Sequence, residues 1–225
     1  MKIKAFLLTI VVIFSVFCTV SCKNKDTDKK KDREYNEQEV LNSAVDLIKK
    51  SEVLNEIYYG HGIECDTGDI NNSSGYYFPA DILSLNKFGI EKFDDIKTLT
   101  RACFTEAQSD LMINTVLNSV KDTSGNIINL ARYYPAYDTL NPSVETCIMV
   151  YSKYNVLLKD EVEYLYDTVR VSDVDGDTIY VEIDVKVKNS KGSIQEKTLK
   201  IGLIEENNGF RIDTPTYARN SNFEE

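Results

Sequence analysis

Few residues in this 225-residue chain combine a reactive type with a useful spacing. Its one histidine, His61, stands four residues before Cys65. A cysteine beside a histidine can become a thiolate nucleophile, but the two side chains must converge across a fold, and here both sit in one loop-like stretch. Asp66 and Tyr58 lie close by, and a carboxylate or histidine beside a tyrosine can do acid–base work, yet no spacing fixes their geometry. Asp173, Asp175 and Asp177 match the first, third and fifth ligands of an EF-hand loop. Such a loop needs Gly at its sixth place and Glu at its twelfth, and Thr178 and Asp184 stand there instead. Asp184 also falls in the most regular strand pattern of the chain, so Asp175-Gly176 reads as a hairpin turn and no metal is expected. No Walker loop, GxGxxG, HExxH, GxSxG or paired CxxC occurs, and neither a catalytic residue nor a cofactor is expected.

The remaining group with a distinctive pattern is aromatic. Between residues 59 and 79 the chain is punctuated by Gly60, Gly62, Gly68, Gly75 and Pro79 and contains Asn71-Asn72-Ser73-Ser74. It still carries Tyr59, His61, Tyr76, Tyr77 and Phe78. Long loops are functional or disordered, and aromatic side chains suit partner contact because they bring large area at low entropy cost. These five residues are the expected partner-binding set.

The elements around this loop are legible by period. Residues 36–58 read as an amphipathic helix with Val40, Leu41, Ala44, Val45, Leu47, Ile48, Leu54, Ile57 and Tyr58 toward one face and a stop at Gly60. Asp94 is expected to cap a helix over 95–103 with Ile96, Leu99 and Ala102 inward. Thr105-Glu106-Ala107-Gln108 predicts a helix over 106–120 with Leu111, Met112, Val116, Leu117 and Val120 as its stripe. Strands are expected over 126–138 and 146–154, with Pro135 and Pro142 keeping them near an edge or bend. Residues 160–215 form a β-meander. In 177–188, Ile179, Val181, Ile183, Val185 and Val187 alternate with Tyr180, Glu182, Asp184, Lys186 and Lys188. Turns at Asp175-Gly176, Lys191-Gly192 and Asn208-Gly209 divide the meander. Helices first and strands after predict an α+β domain, its N-terminal helices packed on one face of a curved antiparallel sheet.

Formal net charge is −10, and it is unevenly spread. Residues 1–34 hold 8 Lys/Arg against 4 Asp/Glu, whereas 35–225 hold 18 against 32. A body carrying −14 is unsuited to nucleic acid, whose phosphates need Lys and Arg, and inclines toward a cationic partner. At the start, Lys2 and Lys4 precede an apolar run over 5–17, too short to span a membrane at about 20 residues but suited to a signal peptide. Thr19-Val20-Ser21-Cys22 resembles the lipobox of bacterial lipoproteins, apart from Thr19 where Leu or Val is commoner. The resemblance implies a signal peptide over 1–21 and a mature N-terminus at Cys22 bearing a diacylglycerol thioether, its two acyl chains of the palmitate kind. Such multiple chains hold a protein to the membrane stably. Residues 22–34 are then a charged tether and 35–225 the folded domain. The expected location is extracytoplasmic, lipid-anchored to the cell membrane. Disulfides are permitted there, but Cys65, Cys103 and Cys147 are odd in number and no pairing is implied.

Four segments carry a wider resemblance: 56–63 (EIYYGHGI), 77–82 (YFPADI), 93–105 (FDDIKTLTRACFT) and 209–217 (GFRIDTPTY). Together they resemble clostridial and bacillar envelope proteins of cystatin-like, NTF2-like fold, closest to the inhibitors of peptidoglycan DL-endopeptidases. The resemblance implies a non-enzymatic role, in which a loop plugs the groove of a secreted cell-wall endopeptidase; here that loop is 59–79. The alternative is a lipoprotein that captures a small molecule in a pocket between helices and sheet.

Overall fold

The computed structural model describes residues 35–68, 75–121, 127–158, 160–189, 191–206 and 209–217. Cys22, the signal peptide, the tether and the Asn-Ser centre of the aromatic loop lie outside them.

The meander forms as its alternation dictates. Strands β6 (Glu161–Asp175), β7 (Thr178–Lys188), β8 (Ile194–Glu206) and β9 (Gly209–Ile212) make an antiparallel sheet in that spatial order. On β7 the five aliphatic residues from Ile179 to Val187 are all buried, while Tyr180, Glu182, Asp184 and Lys186 are half-buried and Lys188 is exposed. The register sets Val181 against Ile201 and Ile183 against Leu199, so two strands present one continuous apolar face. Each fully buried aliphatic side chain stabilises the fold by about 1.5–3 kcal/mol.

Helix α1 (Glu37–Tyr59) covers that face. Asn36 caps it, its Oδ1 accepting from the amides of Gln38 and Glu39 at 3.1 and 3.4 Å. Val40, Ala44, Leu47, Ile48, Leu54, Ile57 and Tyr58 are buried, and Leu41 and Val45 lie at the margin. A short helix α2 (Ile82–Phe88) follows, which the sequence reading does not anticipate. Its cap is visible in retrospect: Asp81 accepts from Ser84 N at 2.8 Å. Helix α3 (Phe93–Cys103) begins before Asp94, and Asp95 accepts the amides of Glu91 and Lys92 at 2.9 and 2.7 Å. The inward face also differs from the expected one. Phe93, Ile96, Thr100 and Cys103 are buried, whereas Leu99, expected inside, is 39% exposed and Ala102 is exposed too. A polar Thr100 occupies the stripe because its hydroxyl bonds Tyr58 Oη at 2.8 Å and the Ile96 carbonyl at 2.7 Å. Helix α4 (Glu106–Val116) is capped by Thr105 as expected, stops four residues early, and leaves Leu111 60% exposed.

Two smaller sheets accompany the meander. Strands β2 (Val120–Lys121) and β3 (Ile127–Asn129) pair as a short ribbon. Strands β4 (Tyr133–Tyr137) and β5 (Glu145–Tyr151) form a hairpin, and β1 (Tyr77–Pro79) adds to the free edge of β5. The α+β class therefore stands, with its strands divided among sheets rather than joined in one. Phe104 ties the α3–α4 junction to the meander by a parallel bridge to Ile212. Among the described residues no helix is long and apolar enough to cross a membrane.

Candidate functional site

The end of α1 is built from polar groups. Glu52, Asn55 and Glu56 sit at i, i+3 and i+4 and share one helix face. Opposite them run Leu158, Asp160, Glu161, Val162 and Tyr164, which lead into and begin β6. Tyr217 and His61 complete the lining of a cleft of about 400 Å³.

The floor is held by the C-terminal segment. Asn55 Nδ2 donates to Thr216 Oγ1 at 2.9 Å, and Tyr164 Oη donates to the Thr216 carbonyl at 2.7 Å. Asn55 is 4% exposed, and its Oδ1 has no hydrogen-bond partner. The Tyr59 and Tyr217 rings lie 4.5 Å apart between centroids. Partial burial raises the pKa of Glu52 above its ordinary value, with Lys49 opposing. Burial also raises Tyr164, and the Glu52 charge adds to it.

The rim depends on how the chain leaves the helix. Glu56 folds back over the helix end, where its Oε1 accepts from the amides of His61 at 2.9 Å and Gly62 at 3.4 Å. A Cβ at position 60 would lie 1.9 Å from Glu56 Oε2, so only glycine lets that carboxylate pass. Gly62 has φ +69°, and a Cβ there would meet Tyr133 Oη at 2.2 Å. A carboxylate at a helix C-terminus opposes the helix dipole, and α1 has no basic residue in its last turn. Arg132 supplies the missing cation from outside the helix. It is 2% exposed and donates through Nη2 to the carbonyls of Gly60, at 2.8 Å, and His61. Its guanidinium stacks 4.2 Å from the Tyr154 ring centroid and 5.3 Å from that of Tyr133. Tyr133 Oη in turn donates to the Ile57 carbonyl at 2.9 Å and accepts from Ile63 N at 3.1 Å.

The five aromatic-loop residues do not act as one surface. Tyr59 is 5% exposed and belongs to the last turn of α1. Tyr77 is half-buried, donating to the Ala131 carbonyl at 2.6 Å, and Phe78 is half-buried in β1 opposite Val150. His61 and Tyr76 are exposed; His61 stands on the cleft rim, and Lys153 Nζ lies 3.5 Å from the Tyr76 ring centroid. Sequence reasoning missed Glu52, Asn55, Glu56, Asp160 and Tyr164. The only signal was the i, i+3, i+4 spacing on α1; the opposite wall lies about a hundred residues away.

Cys65, Cys103 and Cys147 are all free. Burial raises the Cys65 thiol, with Asp66 and Glu64 adding to the effect, which is the reverse of what a thiolate nucleophile needs. Cys103 is buried, pushed up to about 12, and donates to the Leu47 carbonyl at 3.4 Å. Among the described residues no group of three His, Cys, Asp or Glu is placed to hold one metal ion. No family model, curated protein or solved structure matches the chain.

Proposed function

We propose that this chain is a non-enzymatic binding module of the cell envelope, tethered outside the membrane by acylated Cys22, and that the cleft between α1 and β6 is its contact site. The observation that carries this reading is the cleft itself, whose volume of about 400 Å³ exceeds the roughly 300 Å³ at which ligand pockets begin. It supports capture of a small molecule ahead of a purely loop-mediated role. The composition of residues 1–34 supports the tether. Capture from solubilised envelope, comparing the full-length chain with Glu52→Arg and with Leu111→Ala as a distant control, tests the site. Loss of the captured component in Glu52→Arg alone is the expected result; equal capture by all three would remove the cleft from the account.

One observation favours a second reading, inhibition of a peptidoglycan DL-endopeptidase by the loop 59–79. Tyr76, in that loop, stands 54% exposed. A ring held out in this way suits insertion into an enzyme groove. Wall hydrolysis assayed with the full-length chain at ~10 μM, a range suited to weak recognition, would be slowed and would recover with Tyr76→Ala. Unchanged hydrolysis would discard this second reading and leave the cleft untouched.

A further inference from the structure

The segment that floors the cleft is fastened differently from the strand before it. Ile212, at the end of β9, is fully buried, and its carbonyl accepts from Thr105 N at 2.9 Å. Asp213 Oδ1 accepts from Thr105 Oγ1 at 2.7 Å, and Asp213 N donates to the Gly202 carbonyl at 2.9 Å. There the backbone ladder stops. Thr214, Pro215 and Thr216 make no backbone-to-backbone hydrogen bond with a described residue. Side chains hold them instead. Gly202 N donates to Thr214 Oγ1 at 3.0 Å, Asn55 and Tyr164 both donate to Thr216, and the Tyr217 ring lies against that of Tyr59. Only Thr216 is fully buried; Pro215 is exposed, and Thr214 and Tyr217 are half-buried.

A segment with so little buried apolar surface opens at lower cost than the core beneath it. The joint with α1 also carries a defect. Asn55 gives its Nδ2 to Thr216, yet the Oδ1 of the same amide is sealed from solvent without a partner. A buried acceptor with no donor costs stability, so closure is opposed at the contact that makes it. The inward face of β7 has no such defect, since its five buried side chains are all aliphatic.

We propose that Thr214–Tyr217 is a latch, which swings off α1 and β6 about Asp213 while both stay folded, and so turns the α1–β6 cleft into a longer groove. Asn55, Tyr164 and Tyr217 line the cleft and also make the latch's contacts, so latch and cleft open together. Opening bares the Asn55 amide and the Tyr164 hydroxyl, the two groups that grip Thr216 when the latch is shut. The latch stands on these contacts alone and holds whether or not the cleft is the contact site.

The test is thiol labelling of the full-length chain, read by mass on the peptide that carries the introduced cysteine. Thr216→Cys and Ile183→Cys each place a thiol where exposure is 0%, one in the latch and one in the meander. In native buffer the first should label at least about a hundredfold faster than the second, because it needs only local opening. Urea below the melt should speed labelling at 183 steeply and leave that at 216 within about threefold, since a short latch exposes little surface. Adding Tyr164→Phe should speed labelling at 216 about tenfold, the effect of one lost hydrogen bond. The unsubstituted chain gives a second readout. Hydrogen exchange at the Gly202 amide, which only Thr214 Oγ1 covers, should outpace that at Ile201 in the β7–β8 ladder by at least about tenfold. Equal labelling at 216 and 183, a shared urea dependence, no effect of Tyr164→Phe, or equal exchange at Gly202 and Ile201 would overturn the latch.

Discussion

In the β6–β9 meander the buried face of β7 is wholly aliphatic, whereas around the end of α1 the polar Asn55, Arg132, Tyr133 and Thr216 are buried beside Leu54, Ile57 and Ile63. Both regions are well shielded, but they are held by different means. The meander gains from area removed from water, which is non-directional and tolerant. The helix end is held by directed hydrogen bonds in a low dielectric, where each missing partner is felt in full, and Asn55 Oδ1 and the Nε and Nη1 of Arg132 lack one within the protein. A polar interior of this kind is also where a site can be shaped, since it fixes side chains such as Glu56 by angle as well as by volume.

The contrast is sharpest under truncation. Ile183→Ala should cost about 2–5 kcal/mol in a urea melt, because a fully buried side chain leaves a cavity between two registered strands. Tyr133→Phe removes no carbon and yet should cost about 1–3 kcal/mol, since the Ile57 carbonyl and the Ile63 amide both lose a partner. A Tyr133→Phe cost near zero would show that the helix end is held by packing alone, and the distinction between the two regions would disappear.

Alkaline pH should separate them further. Burial, with Tyr154 and Glu56 adding and Arg132 opposing, pushes the Tyr133 phenol up from 10.0 to about 12. A raised pKa means that the stabilisation is whole below about pH 10 and is lost as pH rises through about 12. Unfolding midpoints should fall in that window together with the rise of tyrosinate absorbance, and less steeply in Tyr133→Phe. On the solvent face of the meander, Arg170 pairs with Glu182 at 2.8 Å and Asp184 at 3.4 Å, all partly exposed. Arg170→Ala should cost less than about 1 kcal/mol and less still in high salt. A larger loss would mean that this face contributes more than its exposure allows. The smallest effect belongs to the cleft. Glu52 has a pKa raised by burial above 4.5, so its stabilisation is full below that value and lost as pH rises past the raised one. Glu52→Gln should therefore melt slightly higher than wild type at neutral pH, and the difference should vanish below pH 4.5.

Legibility followed the same division. The alternation in 177–188 specified β7 to within a residue, because a half-buried strand imposes a period of two on its own sequence. The stripe of α3 was misjudged at Leu99 because Thr100 looks polar in sequence and becomes acceptable inside only through its bonds to Tyr58 and Ile96. Tyr77 and Phe78 looked like free loop aromatics because nothing local announces a three-residue strand whose partner is β5, some seventy residues on.

From its sequence alone this protein is determined to be an α+β chain with an acidic body, an apolar-faced meander and a helical cover, since periodicity and charge are local properties. The cleft was decided only in three dimensions. Its walls come from α1, the start of β6 and the C-terminal segment, and burial of Asn55 and the shifted Glu52 exist only once those pieces meet. Charge in a linear chain has no direction; packing gave it one, by bringing Glu52, Glu56, Asp160 and Glu161 to the lining of one cleft.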